Sequence, residues 1–207
     1  VCSMPDFTKQ LSKYMPEAAA PILSKWIQDT GCQFRVAKSR STKLGDYTAP
    51  FRGAPHKISV NHDLNKYAFL ITSIHEFAHL MTWQSHKHRV KPHGEEWKSN
   101  YKMLMQPFLK LNVFPTDVLV AIVNYMDNPA ASSCTDLNLF RILKTYDTQI
   151  SNVLTLEAIA ENSIFAIKGG RVFQKKEKLR KRYKCIELSS NKIYLFHPIA
   201  EVFIPNS

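Results

Sequence analysis

Between Ile74 and Trp97 the chain reads IHEFAHLMTWQSHKHRVKPHGEEW, a stretch that carries five of its eight histidines. His75 and His79 stand four residues apart with Glu76 directly after the first, an H-E-x-x-H. On a helix that spacing puts both imidazoles on one face, a turn apart, where two nitrogens can reach one zinc ion at roughly 2.0–2.1 Å. In a strand or a loop they would diverge. The motif therefore needs a helix, and the surrounding sequence supplies one. Leu70, Ile74, Phe77 and Met81 recur at helical spacing and predict a single buried stripe over a helix from about Leu64 to the Trp83 region. Asn61 or Asp63, in NHDLN, offers its N-cap.

Two imidazoles do not complete a zinc site. A metzincin would carry Gly three residues and His six residues after the second His, and those places hold Thr82 and Ser85. A thermolysin-like arrangement would take a glutamate from a later helix, which makes Glu95 or Glu96 a candidate. His93 competes with both. It lies between Pro92 and Gly94 at a turn that opens the next helix, and a fixed bend there can swing its ring back over the first helix. Acidic residues in a first helical turn also have an ordinary role, complementing the helix dipole. His86 would share the face of His79 if the helix ran on, while His88 belongs with the basic connection HKHRVK. His56, His62 and His197 are isolated and read as surface or hydrogen-bonded histidines.

Glu76 adjoins a ligand position without being one. It is placed to take a proton from a metal-activated water and to return it to a leaving amine. A closed zinc site that only braces the fold would want four protein ligands, usually with cysteine, and the cluster contains none. The expected cofactor is a single Zn2+, and the expected activity is that of a zinc metallopeptidase on a protein or peptide substrate. Because zinc needs neutral imidazoles, activity should fall as pH drops through the histidine range. A second oxyanion donor would be a Tyr, His or Arg that the sequence does not single out.

The rest of the chain limits what surrounds this site. At 207 residues, 44% hydrophobic and with six glycines, it is long enough for one domain and a smaller second one. The apolar runs YAFLITSI and VLVAIV fall short of the roughly 20 residues of a membrane span. No hydrophobic signal core occupies the first 30 residues, so a cytoplasmic protein with no membrane partner is expected. Cys2, Cys32, Cys134 and Cys185 form no C-x-x-C pair, which argues for reduced thiols, with a Cys134–Cys185 contact left open.

Helical pattern runs from Phe7 to about Thr30, with Pro16 opening a second helix and Gly31 closing it. QFRVAK and HKISV read as strands, joined by a turn-rich connection, RSTKLGDYTAPFRGAP. Further helices are expected from about Glu95 to Leu111 and over PTDVLVAIVNYM. After NPAASSCTD and one short helix, LNLFRILKTY, the pattern turns strand-like through SIFAI, RVFQK, RYKCIEL, IYLFHP and EVFI. The fold class expected is α+β. Residues 1–128 are expected to form a mainly helical domain that carries the metal motif, 129–150 a linker with a short helix, and 151–207 a β-meander domain.

A net charge of +11 attracts polyanions, of which nucleic acid is the commonest in a cytoplasm. The densest basic segment is KKEKLRKRYK, where Lys175, Lys176, Lys178, Arg180, Lys181, Arg182 and Lys184 could follow a phosphate backbone beside the ring of Tyr183. The same charges would also serve as a solvated strand edge that deters aggregation. Lys87, Arg89 and Lys91 add positive charge near the metal motif.

HEFAHL, the basic linker and PHGEEWK together resemble the SprT-like, or Spartan-like, metalloproteases, whose pattern is H-E-x-x-H followed by H-G-x-x-W/F. The likeness reaches back through ISVNHDL and covers Pro21 to Leu111 well. It implies a minimal zincin fold, His75, His79 and His93 as zinc ligands, and Glu76 as general base. It also implies proteolysis of proteins bound or crosslinked to DNA, with DNA, single-stranded or crosslinked, as a partner and a bacterial nucleoid-associated location. Many bacterial relatives carry a C-terminal zinc ribbon with paired cysteines. Only Cys134 and Cys185 fall in that half here, so a metal-free β-domain is expected in its place. Two other readings stay open: a zinc peptidase with no nucleic-acid role, and a non-catalytic DNA-binding module with a structural zinc.

Overall fold

The computed structural model describes residues 5–40, 43–129, 136–147 and 154–205, and the chain falls into two compact units, Val1–Thr148 and Gln149–Ser207. The first mixes helix and sheet. Helix α1 (Thr8–Leu11) and a short 3-10 turn lead into α2 (Ala20–Thr30), which ends where Gly31 takes the left-handed conformation at φ 61°. Strands β1 (Gln33–Ala37), β2 (Gly45–Thr48) and β3 (Lys57–Asn61) follow, then α3 (Lys66–His86), α4 (Glu95–Lys110), α5 (Thr116–Asp127) and α6 (Leu137–Lys144).

The sheet has the order β1-β3-β2, with β1 parallel and β2 antiparallel to β3. Strand β2 lies inside the segment whose sequence reads as a turn-rich connection. Gly45-Asp46-Tyr47-Thr48 has no apolar alternation to mark it, and it becomes a strand because β3 supplies the pairing, Gly45 opposite Val60 and Tyr47 opposite Ile58. It forms an edge of the sheet.

Helix α3 is the centre of this unit. Every residue from Ala68 to Ala78 is buried, so the single stripe expected from the sequence is replaced by burial on all sides. Phe34 packs edge-on against Phe69 and stacks on Phe77, while Trp26 meets Phe77 and Phe108 edge-on. The N-cap is Asn65, not Asn61 or Asp63. Its side-chain oxygen accepts from Tyr67 and Ala68 N–H at 3.1 and 3.0 Å. Asn61 is committed elsewhere: its amide donates to the carbonyls of Arg40 and Lys43, and its oxygen accepts from Arg40 Nε at 2.8 Å. The Asn65 amide also donates to Leu143 O and to the Asp147 carboxylate, each at 2.8 Å, fastening the start of α3 to the end of α6. Leu139 and Leu143 of α6 are buried in the same core, so the short helix between residues 129 and 150 is part of this unit's packing.

The second unit is built of β4 (Leu154–Thr155), β5 (Ile164–Ala166), β6 (Val172–Lys178), β7 (Tyr183–Glu187), β8 (Ile193–Phe196) and β9 (Glu201–Val202). Strands β5 to β8 pair antiparallel in chain order, and β4 pairs with β9. Leu156, Phe165, Phe173, Cys185 and Val202 form its core. Cys32 and Cys185 are free thiols, and Cys134 lies outside the described residues.

Lys175 corrects the expectation for the basic segment. It is 4% exposed, its ammonium donates to Leu156 O and Ile159 O at 2.8 and 2.6 Å, and it sits 4.1 Å from the centre of the Tyr183 ring. Alternation along β6 turns it inward beside Phe173, where two backbone carbonyls hold it; it cannot meet a phosphate. No helix among the described residues is long and apolar enough to cross a membrane.

Replacing Asn65 by Ala removes the cap of α3 and its two tertiary bonds. A drop of about 1–2 kcal/mol in stability is expected, read as a lower urea midpoint at unchanged m-value.

Candidate metal centre

His75 and His79 project from the same face of α3, and the turn at Pro92-His93-Gly94 brings the third ring to them. Gly94 N–H donates to Lys91 O at 3.0 Å and Gly94 O receives Lys98 N–H at 3.0 Å, so the bend is locked as α4 begins. His75 Nε2 lies 3.2 Å from His79 Nε2 and 3.3 Å from His93 Nε2. All three ligand atoms fall within 4.8 Å of one another, and they are the one such group among the described residues. Glu95, exposed in the first turn of α4, pairs with Lys98 at 2.7 Å instead. Neither it nor Glu96 nor His86 joins the group, although α3 does continue to His86.

Trp97 fixes the three rings from behind. Four residues after His93 and on the inner face of α4, it is fully buried, with centroid distances of 4.7, 5.5 and 4.8 Å to His75, His79 and His93. The spacing H-G-x-x-W places it there, a signal that the sequence carries as one helical turn.

Burial, then repulsion among the rings, pulls His75 down to about 3 and His79 to about 4; burial alone lowers His93. The rings are thus neutral at physiological pH, with one nitrogen of each gathered within 4.8 Å of the others. That donor set fits a transition-metal ion that accepts imidazole, such as zinc. It also moves proton competition to lower pH than the ordinary histidine range.

Glu76 is 6% exposed and lines the same cleft. Burial above all, with repulsion from Asp46, pushes its carboxyl up to about 8; Arg40, Lys43 and the Tyr47 N–H act in the opposite sense. The strand approaches very closely here. A Cβ on Gly45 would stand 2.6 Å from both Glu76 Oε1 and Thr72 Cγ2, and 2.9 Å from Glu76 Cγ. Only glycine allows β2 to lie against α3 at the carboxyl.

The cleft has a volume of about 790 Å3 and is bounded by β2, α3 and the turn before α4. Tyr47 lines it, its ring parallel to His79 within 7°, and its hydroxyl shares a hydrogen bond with His56 Nδ1 at 2.9 Å. Sequence reasoning missed Gly45, Asp46 and Tyr47 because β2 was not recognisable. Of the basic residues near the motif, Lys87 and Lys91 line the cleft, and Arg89 is exposed.

The model of the SprT-like family matches residues 7–118. The chain belongs to the SprT-like family. The matched region runs from α1 into α5 and contains all three histidines, Glu76 and the whole three-stranded sheet. The second unit lies beyond it. No curated protein and no solved structure matches this SprT-like chain at a significant level.

For the metal-free protein the buried groups set opposite pH trends. Between about 4 and 6.5 the unfolded chain binds more protons at His75 and His79 than the folded one, so stability falls on acidification. Above 6.5 the folded chain keeps a proton on Glu76 up to about 8, so stability falls again as pH rises. Scanning calorimetry in chelator should therefore give a Tm maximum near pH 6.5, and Glu76→Gln should remove the alkaline decline.

Proposed function

We propose that the chain is a zinc-dependent endopeptidase with a zincin-like active-site helix, in which His75, His79 and His93 hold one Zn2+ and Glu76 is the general base. The observation that carries this is three neutral imidazoles converging in an open cleft with a buried carboxyl on the same helix. An ion held there would supply acidification of a water and polarisation of the scissile carbonyl. No fourth His, Cys, Asp or Glu joins the group among the described residues, which favours a site with a free coordination place over a closed structural one.

Glu76 takes the proton of the attacking water and hands it to the departing amine. Its raised pKa makes it a stronger base than an exposed carboxylate, and a cation at the imidazoles would bring that pKa down toward neutrality. Arg40, Lys43 and the Tyr47 N–H favour its ionised form. Strand β2 is an edge, so a peptide in extended form can lie along it, hydrogen-bonded to its backbone, and reach the metal centre.

Glu76→Gln should keep about one zinc per chain by metal analysis and lose at least about a hundredfold in kcat on casein or a peptide. Near-normal turnover would sink the assignment.

The same reading takes DNA-bound or DNA-crosslinked proteins as substrates. Its support is the turn between β6 and β7, where Lys178, Arg180, Lys181 and Arg182 are exposed and Leu179 N–H closes on Arg182 O at 2.8 Å. Lys176 and Lys184 are half-buried, bonded to Asn162 and Glu177 respectively. Single-stranded DNA binding should weaken steeply with salt, and serine at the four tip cations should make that dependence shallower by about 0.7 in slope for every phosphate left unneutralised. A flat salt response would leave a peptidase without a nucleic-acid role.

A further inference from the structure

Past the three histidines, the cleft continues along a wall built on Trp83. Trp83 follows His79 by one helical turn, so its indole extends the imidazole face of α3. His56 meets it edge-on at 5.1 Å and 83°, and Lys87 Nζ lies 3.9 Å from the centre of a Trp83 ring. The backbone is anchored to the same residue: Lys87 ends α3 at φ 56° and its N–H donates to Trp83 O at 2.8 Å. Both ends of the lysine are therefore held by one tryptophan.

This wall carries uncompensated positive charge. Lys87, His88 and Lys91 all line the cleft, and among the described residues no carboxylate lies within ion-pair distance of either lysine. Lys43, also in the lining, differs: its ammonium is 2.7 Å from Asp46. The other acid in the lining, Glu76, is buried at the catalytic position. A carboxylate arriving from outside would meet a fixed ammonium, and the indole beneath would support the methylenes leading to it. Because the lysine is already positioned by its ring contact, less side-chain freedom is given up on pairing.

We propose that this wall is a specificity subsite for an acidic side chain of the peptide substrate, with Lys87 receiving the carboxylate. The inference rests on the peptidase reading and names the substrate class for it. A phosphate of nucleic acid could meet the same cations. Their position inside the groove that leads to the three histidines favours the peptide, since any chain cleaved there must run past Trp83 or away from it.

The test uses the full-length, zinc-loaded protein and matched quenched-fluorescence peptides that differ at one position on either side of the scissile bond, carrying Glu, Gln or Lys. At one of those positions Glu should exceed Gln in kcat/KM by about fivefold, the range of a partly exposed ion pair, and Lys should be worse than Gln. In Lys87→Met the Glu/Gln ratio should fall to near one, and in Lys87→Glu the Lys peptide should overtake the Glu peptide. Each ratio is measured within a single enzyme, so incomplete folding of a variant cancels. A ratio unchanged by Lys87→Met overturns the proposal, and if that variant weakens only single-stranded DNA binding, the cations serve phosphate. Cleavage of neither casein nor any peptide by the wild type removes the peptidase reading, and the subsite with it, whereas casein cleavage without charge preference removes the subsite alone.

Discussion

Enclosing a helix takes water away from whatever polar groups it carries, and α3 carries a buried imidazole, a half-buried one and a buried carboxyl. That enclosure is the constraint on which the rest depends. In the absence of a cation it keeps His75 and His79 unprotonated to a lower pH than solvated imidazoles would stay so, and keeps a proton on Glu76 up to about 8, where a solvated carboxyl would have lost it. A cation centred on the three rings would relieve the cost for the carboxyl and give the lone pairs a partner. The apolar packing of α3 thus prepares its own polar groups for a positive charge.

The enclosing elements divide the work. Phe34, Trp26 and Phe108 seal the part of α3 away from the histidines, while Trp97 backs all three rings. Strand β2 closes the remaining side through the Gly45 contact and leaves an open cleft beyond it. Asn61 and Arg40 fasten the segment before β2 to the end of β3, so the edge strand is held from its base as well as along its ladder.

Much of this was legible in the sequence, and the part that was not has a common cause. Features set by local spacing could be read: the helix demanded by His75 and His79, the bend that returns His93, the Gly31 stop, and the strands of the second unit. Features decided by a distant partner could not. β2 is a strand because β3 lies beside it, Asn65 rather than Asn61 caps α3 because Asn61 is needed by the segment before β2, and Lys175 looks like its basic neighbours until the pleat turns it inward. The protonation states of the histidines belong to the same class, since their spacing says nothing of how deeply the helix is buried.

Gly45 holds the edge strand so near α3 that a Cβ there would stand 2.6 Å from Glu76 Oε1 and from Thr72 Cγ2. A gap so narrow has no tolerance: a methyl group there would have to move the Glu76 carboxyl, Thr72 or the strand itself. The width of the cleft mouth can drift with the side chains of Tyr47, Trp83 or Lys87, but its floor is a fixed datum from which those variations are measured. The walls of the cleft can therefore vary while the distance between the β2 backbone and the Glu76 carboxyl stays constant.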